Sequence, residues 1–406
     1  MDRSRTRPQP FEAREISMAS STPSRSWTRR VFVQTIGSIS ALGGVTSLAP
    51  WATAAAVEAA VSSASPQFGY VACADGTIQV FSIAAEGGSW RHVQTITSAA
   101  PPSLALSPDQ RFLYVANAVD SFEHMPTGSV EAFAVDAQTG RLTSLNRQRL
   151  ALSAVMPSHI TVSPNGGQIA VAIAGGAAYN LLPVLEDGSV GRVTASLKQI
   201  GSGQHPELQA RALPQSVLFH DDSHLLGADL GSDRISAFSV AAGGALSTAQ
   251  HHGAAAGSGP AHMVAHPSGN LVFTGGGLDP VVSSLRYNAS AKQPLEPLQH
   301  LTCPSAVGGV TALAMHRSGT LLFVADLAGI SIARTGTSGT LDFAGRQTAA
   351  AIAPVALAAS SDGAHLYALN RSSLTRFRID VERASLSDPV ELTRLGSASA
   401  IALRHL

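Results

Sequence analysis

Ionisable residues are scarce in this 406-residue chain: Asp, Glu, Lys and Arg together make up 13%, and 27 acidic residues balance 27 basic ones. With no basic stripe and no acidic tail, nucleic acid and anionic membrane surfaces are poor partners. Cysteine is rarer still. Cys73 and Cys303 lie far apart and outside any Cys/His cluster, so a zinc site is not expected, while a disulfide and two buried free thiols both fit their placement. No Gly-x-Ser-x-Gly elbow, P-loop or dinucleotide fingerprint occurs, which disfavours a serine hydrolase of the usual kind, an NTPase and a Rossmann enzyme. No metal or cofactor is expected.

Near the N-terminus stands Thr28-Arg29-Arg30-Val31-Phe32-Val33-Gln34, followed by residues 35–56 without a charge. A twin arginine ahead of an uncharged apolar stretch reads as a Tat export signal. Gly37, Gly43, Gly44 and Pro50 interrupt the stretch, and Ala52-Thr-Ala-Ala-Ala56 ends it with the small residues a signal peptidase accepts. A transmembrane anchor is therefore the weaker reading. Residues 1–56 are expected to be a signal peptide with a polar leader, and residues 57–406 one domain that works in the periplasm or outside the cell.

One pattern recurs in that domain: an apolar strand, a turn of Ser, Pro, Asp, Asn or Gly, a second apolar strand, then an alternating third. It is found at residues 104–117, 159–172, 217–229, 263–273, 313–326 and 357–370, with a period of about 44 to 56 residues, the length of one propeller blade. Gly and Pro are spread evenly between the repeats, as short strands joined by turns require. Six units are complete and the seventh is split. Residues 400–404 form an inner strand lacking its partner, and residues 68–73 a partner lacking its inner strand. Pairing the two ends predicts an all-β, seven-bladed propeller closed by its N- and C-terminal strands, with no open edge. A pair of β-sandwiches has no reason to repeat at a constant period.

Six segments carry a resemblance: Pro102-Ser-Leu-Ala-Leu-Ser-Pro-Asp109, Thr139-Gly-Arg-Leu-Thr-Ser-Leu-Asn146, Met156-Pro-Ser-His159, Glu186-Asp-Gly-Ser189, Asp229-Leu-Gly-Ser-Asp-Arg234 and Gly257-Ser-Gly-Pro-Ala-His262 with His266-Pro-Ser-Gly269. In these the chain resembles the bacterial β-propeller lactonases, the 6-phosphogluconolactonase-like family, over residues 68–406. The resemblance implies hydrolysis of a sugar lactone or related cyclic ester at the central channel. Polar positions of the family pattern depart here. Ala261 stands for an Arg, Leu213-Pro214-Gln215 for a His-x-His pair, Asn117-Ala118 and Gly276-Gly277 for Asn-Glu pairs, and Asp326-Leu-Ala-Gly329 for Asn-Arg-Gly-His, which Asn370-Arg371 matches only in part. Fixed positive charge suited to a phosphorylated sugar is thus missing.

His159, His262 and Asp229 are the catalytic candidates, and Arg234, Asn117 and Asn370 the substrate-binding ones. His159 and His262 begin equivalent inner strands, where they serve either as base and oxyanion donor or as histidines tying blades together. Asp233 and Arg234 are expected to pair and hold a turn. His251-His252, and the acidic turn at His220-Asp221-Asp222-Ser223, lack the ligand number of a zinc or calcium site. The rim segments 121–126 and 201–211 are placed to set specificity. Expected partners are a small lactone-type ligand or, for a non-catalytic propeller, a cell-envelope protein, with the chain itself a monomer.

Overall fold

The computed structural model describes residues 67–84, 88–348 and 353–404. The twin-arginine segment and the expected domain start at residue 57 lie outside the described residues. Seven antiparallel four-stranded sheets stand around a common axis, and within each the chain runs from the inner strand outward. Blades are numbered from the N-terminus. Blade 1 combines the inner strand Ala398–Arg404 with Gln67–Cys73, Thr77–Ile83 and Trp90–Thr97. The inner strands of blades 2 to 7 are Ser103–Leu106, Pro157–Val162, Pro214–Asp221, Pro260–Ala265, Ala312–Met315 and Ala356–Ala359.

Alternating side chains give each blade two faces, and an apolar face must be covered by the next blade. The inner and second strands are accordingly buried almost throughout, as in Leu321–Asp326 and Ala398–Arg404, whereas the outermost Trp90–Thr97 alternates toward solvent. The core is a set of clusters lying between blades. Phe68, Tyr70, Leu104, Leu113, Val115 and Phe133, for example, fill the seam between blades 1 and 2. Among the described residues no helix is long and apolar enough to cross a membrane.

Polar links repeat along with the apolar ones. Gln94 pairs through both ends of its amide with the backbone of Leu142 in the next blade (3.1 and 2.8 Å), and Asn146 does so with Val190, Gln250 with Leu295 and Gln299 with Leu341. At the opposite edge, hydroxyls bind the carbonyl that opens the following inner strand: Ser399 to Pro101 (2.7 Å), Ser158 to Pro214 (2.9 Å) and Thr311 to Pro354 (2.6 Å). The Ser-Pro turns close as their residues dictate, with Ser107 Oγ donating to Asp109 and accepting from the Phe112 N–H.

Closure joins the two ends of the chain, with Phe68 paired to Arg404 and Cys73 to Ala398. Each inner strand packs against those of both neighbouring blades, around the whole ring. Removing residues 398–406 is expected to abolish the cooperative unfolding transition in calorimetry, because it deletes a wholly buried strand and bares the edge of Gln67–Cys73. A truncated protein that still melts cooperatively near the parent temperature would contradict this.

Candidate functional site

At one end of the ring, here called the upper end, every inner strand starts and every second strand stops. In blades 1, 3, 4 and 5 the pairing slips by one residue there, bulging Ser399, Ser158, Gln215 and Ala261. Across the register the seven opening triplets correspond: Ala398-Ser-Ala400, Pro101-Pro-Ser103, Pro157-Ser-His159, Pro214-Gln-Ser216, Pro260-Ala-His262, Val310-Thr-Ala312 and Pro354-Val-Ala356. None holds an Asp, Glu, Lys or Arg. Blades 2 to 5 carry the hydrogen-bonding third positions Ser103, His159, Ser216 and His262, which face Ala116, Ala172, Ala228 and Gly275 of their second strands, and Ser103 Oγ accepts the Ile160 N–H of the next blade.

Both imidazoles are buried, at 3% and 2% exposure. The Val217 N–H of blade 4 donates to His159 Nδ1 in a long bond of 3.4 Å, which leaves the ring proton on Nε2 as a donor. Burial pushes the His159 pKa down to about 4. Burial, with the like charge of His159 added, takes His262 down to about 3, and a backbone hydrogen bond with Val310 offsets only part of this. Both rings are therefore neutral at pH 7, and His159 bridges to the next blade. His262 Nδ1 and Ser216 Oγ are buried without a hydrogen-bond partner.

The second strand of blade 4, His224–Asp229, ends in the hairpin that carries the Asp-Leu-Gly-Ser-Asp-Arg motif. Asp229 Oδ1 accepts the N–H groups of Leu213 (2.6 Å) and Gly231 (3.0 Å), capping the single 3-10 turn Leu230–Ser232. Its Oδ2 is buried and unpartnered, and so is the nearby Ser232 Oγ. Burial raises the Asp229 pKa above the ordinary 3.8, against the lowering effect of the Leu213 N–H, the neighbouring Ser232 hydroxyl and the Gly231 N–H. Gly231 belongs to this build because a Cβ there would stand 1.9 Å from the Arg211 carbonyl oxygen.

The expected ion pair between Asp233 and Arg234 does not form. Asp233, at φ +48°, points its carboxylate at Gln209 Nε2 (2.7 Å) and at the N–H groups of Gly257 (2.7 Å) and Gly259 (2.8 Å). Arg234 is half-buried and donates to the Ile200 carbonyl at 3.0 Å. Asp233 sits in the left-handed cap before the strand and Arg234 begins the strand itself, so the two side chains diverge and reach different points of residues 199–213.

Asn117 ends the second strand of blade 2 and Asn370 directly follows that of blade 7, each the equivalent of Asp229 in blade 4, so the three lie on separate hairpins. Asn117 spends its amide on Ser98, Glu131 and Ser129. Asn370 reaches Ser373 at 3.3 Å and leaves Oδ1 buried and unpartnered. The corresponding residue of blade 6, Asp326, forms a two-pronged ion pair with Arg346 (2.6 and 2.8 Å). Sequence reasoning missed Gln209, which carries no motif, and Ser216, which shows only when the repeats are laid over one another at the bulge.

Other candidates lie elsewhere. His220 stacks edge-on against Tyr287 at 4.3 Å, Asp221 binds His224, and Asp222 accepts the Asn165 N–H, so the acidic turn is committed to structure at the lower end. His251 pairs with Ser236 on an outer strand. Cys73 and Cys303 are buried and unbridged, with burial pushing their thiols up to about 11 and about 12. Among the described residues no group of three or more His, Cys, Asp or Glu is placed to hold a metal. A cavity of about 540 Å³ at the lower end, between blades 7 and 1, is lined by Asp362, His365, Arg376, Arg378 and Asp388 and shares no residue with the upper site.

Residues 68–403 match the family described as Lactonase, 7-bladed beta-propeller. The 6-phosphogluconolactonase of Bacillus subtilis (strain 168) is 25% identical over 191 residues, 47% of this chain and 52% of that protein, so the match spans about half of the relative. Two solved structures share the fold. The periplasmic gluconolactonase of Pseudomonas aeruginosa superposes with a TM-score of 0.76 at 24% identity, covering 84% of this chain and 99% of that one. A protein from Lactobacillus plantarum gives 0.75 at 19%, covering 84% and 100%.

Proposed function

The chain belongs to the seven-bladed β-propeller lactonase family, and from that premise we propose that it hydrolyses an uncharged lactone at the upper end of blades 3 to 5. The observation that carries the reading is Asp229, whose buried Oδ2 has no N–H donor and only the Ser232 hydroxyl beside it, and whose basicity burial raises. It ends its strand one residue beyond the level of two neutral imidazoles. Water attacks the lactone carbonyl carbon as Asp229 Oδ2 takes its proton. Negative charge gathers on the carbonyl oxygen, where the Nε2–H of His159 is a donor that needs no change of protonation. The ring C–O bond then breaks, the departing oxygen takes up the proton from Asp229, and the new carboxylic acid releases its own proton to solvent and leaves as the carboxylate.

Absence of charge in the opening triplets supports an unphosphorylated substrate. Arg346 is engaged by Asp326, Arg147 by Ser129 and by the ring of Phe122, and Arg234 by Ile200. The twin-arginine leader supports work outside the cytoplasm, which agrees with the periplasmic label of the Pseudomonas relative. Burial of both imidazoles favours one other reading, a propeller that binds a small ligand or an envelope protein without turnover.

The test is hydrolysis by the purified protein of plain and 6-phosphorylated sugar lactones. The plain lactone is expected to exceed the phosphorylated one in kcat/KM by about a hundredfold, the value of one or two missing charged hydrogen bonds. Equal rates, or preference for the phosphate, would contradict the substrate class. Binding without turnover on every lactone would establish the second reading instead.

A further inference from the structure

Residues 199–213 form the longest connection between successive blades, and the Asp229-to-Arg234 hairpin holds it at three points. Arg234 binds its start at Ile200, Asp229 binds its end at Leu213, and Asp233 binds its middle through Gln209. Gln209 has no exposed surface, although neighbours such as His205, Pro206 and Glu207 are exposed. Its amide spans the loop, accepting from the His205 N–H (2.9 Å) and donating to the Leu230 carbonyl (2.8 Å) as well as to Asp233. The same carboxylate gathers Gly257 and Gly259 from the next inter-blade loop. A single buried carboxylate thus clasps two rim loops to the upper end of blade 4, beside Pro214 and Pro260 where two inner strands of the site begin.

We propose that Asp233 is a positioning residue whose clasp with Gln209 holds residues 199–213 over the site and thereby sets which lactones are accepted. The inference rests on the lactonase reading for its second half only. A loop of this length pays ordering entropy each time it closes on a ligand unless it is held beforehand. The Gln209 N–H on the buried Asp233 carboxylate supplies that hold, and the Gly257 and Gly259 N–H groups fix the carboxylate in place. Asp233 touches no reacting atom in this account. Its removal should weaken binding of the preferred substrate, leave the chemical step in place and flatten discrimination.

The experiment compares the full chain with Asp233→Asn, which keeps the shape while turning one acceptor into a donor, and with Gln209→Ala, which removes the loop's side of the clasp. Amide exchange within residues 199–213 is expected to accelerate about tenfold or more in both, with the sheets still protected. KM for the best lactone should rise by a similar factor at nearly constant kcat, and the ratio of kcat/KM between large and small lactones should fall toward one. Unchanged exchange in the loop would overturn the clasp. A released loop with unchanged selectivity, or a fall in kcat alone, would overturn its role in specificity. If the parent protein turns over no lactone, the functional reading has failed, and the exchange rates still decide the clasp.

Discussion

Between pH 7 and pH 4 the protein is expected to lose on the order of 3 kcal/mol of stability for each of its two central histidines. His159 and His262 have folded pKa values of about 4 and about 3 against an ordinary 6.5. The unfolded chain therefore binds protons at these sites from pH 6.5 downward while the folded one does not. Their stabilising contribution is complete above pH 6.5 and drains as pH falls toward 4 and 3. Asp229 works in the opposite sense: its raised folded pKa lets the native state take up a proton before the unfolded chain does, which returns part of the loss. His220, His251, His252 and His365 are also depressed by burial and add to the slope. Urea unfolding at pH 7, 5.5 and 4 measures the whole, and a double His159→Asn, His262→Asn protein isolates the central pair. The variant should lose most of the pH dependence; an unchanged slope would mean that the two rings are not held neutral.

Asp229→Asn is expected to lower kcat by about a hundredfold to ten-thousandfold, the usual worth of a positioned general base. The amide keeps an acceptor for Leu213 and Gly231 at the Oδ1 position, so folding should survive, and removal of a buried charge offsets the cost of the new unpartnered NH2. The pH profile separates Asp229 from the histidines as the base. With Asp229 in that role, kcat/KM rises on a single acid limb centred above 3.8 and stays level through pH 6.5, since both imidazoles have already lost their protons. A limb near 6.5 would assign the base to a histidine in contact with solvent. Residue type alone points instead to a histidine as the base.

The propeller was legible in the chain because a blade is a local unit whose turns and apolar strands recur at a steady period. The split seventh blade was legible from what each terminus lacked. Links between blades were not: a Gln or Asn on a solvent-facing strand, such as Gln94 or Asn146, gives no sign that its amide grips the next blade. For the polar residues, type is legible in the chain and partnership is not. Asp233 and Arg234 are neighbours in sequence, which points to an ion pair, but the left-handed cap at Asp233 turns its carboxylate to Gln209 while Arg234 reaches Ile200 at the start of the same loop. His159 and His262 were placed correctly at equivalent strand starts, whereas their burial depends on how neighbouring blades close over them.

The most direct measurement is a crystal structure of the protein with a lactam analogue of a plain sugar lactone, whose amide resists hydrolysis. The account predicts the analogue at the upper end of blades 3 to 5, its carbonyl oxygen within hydrogen-bond reach of His159 Nε2 and its carbonyl carbon facing Asp229 Oδ2. An analogue seated instead in the lower cavity beside Arg376 and Asp388, or bound above with its carbonyl turned away from both groups, would contradict it.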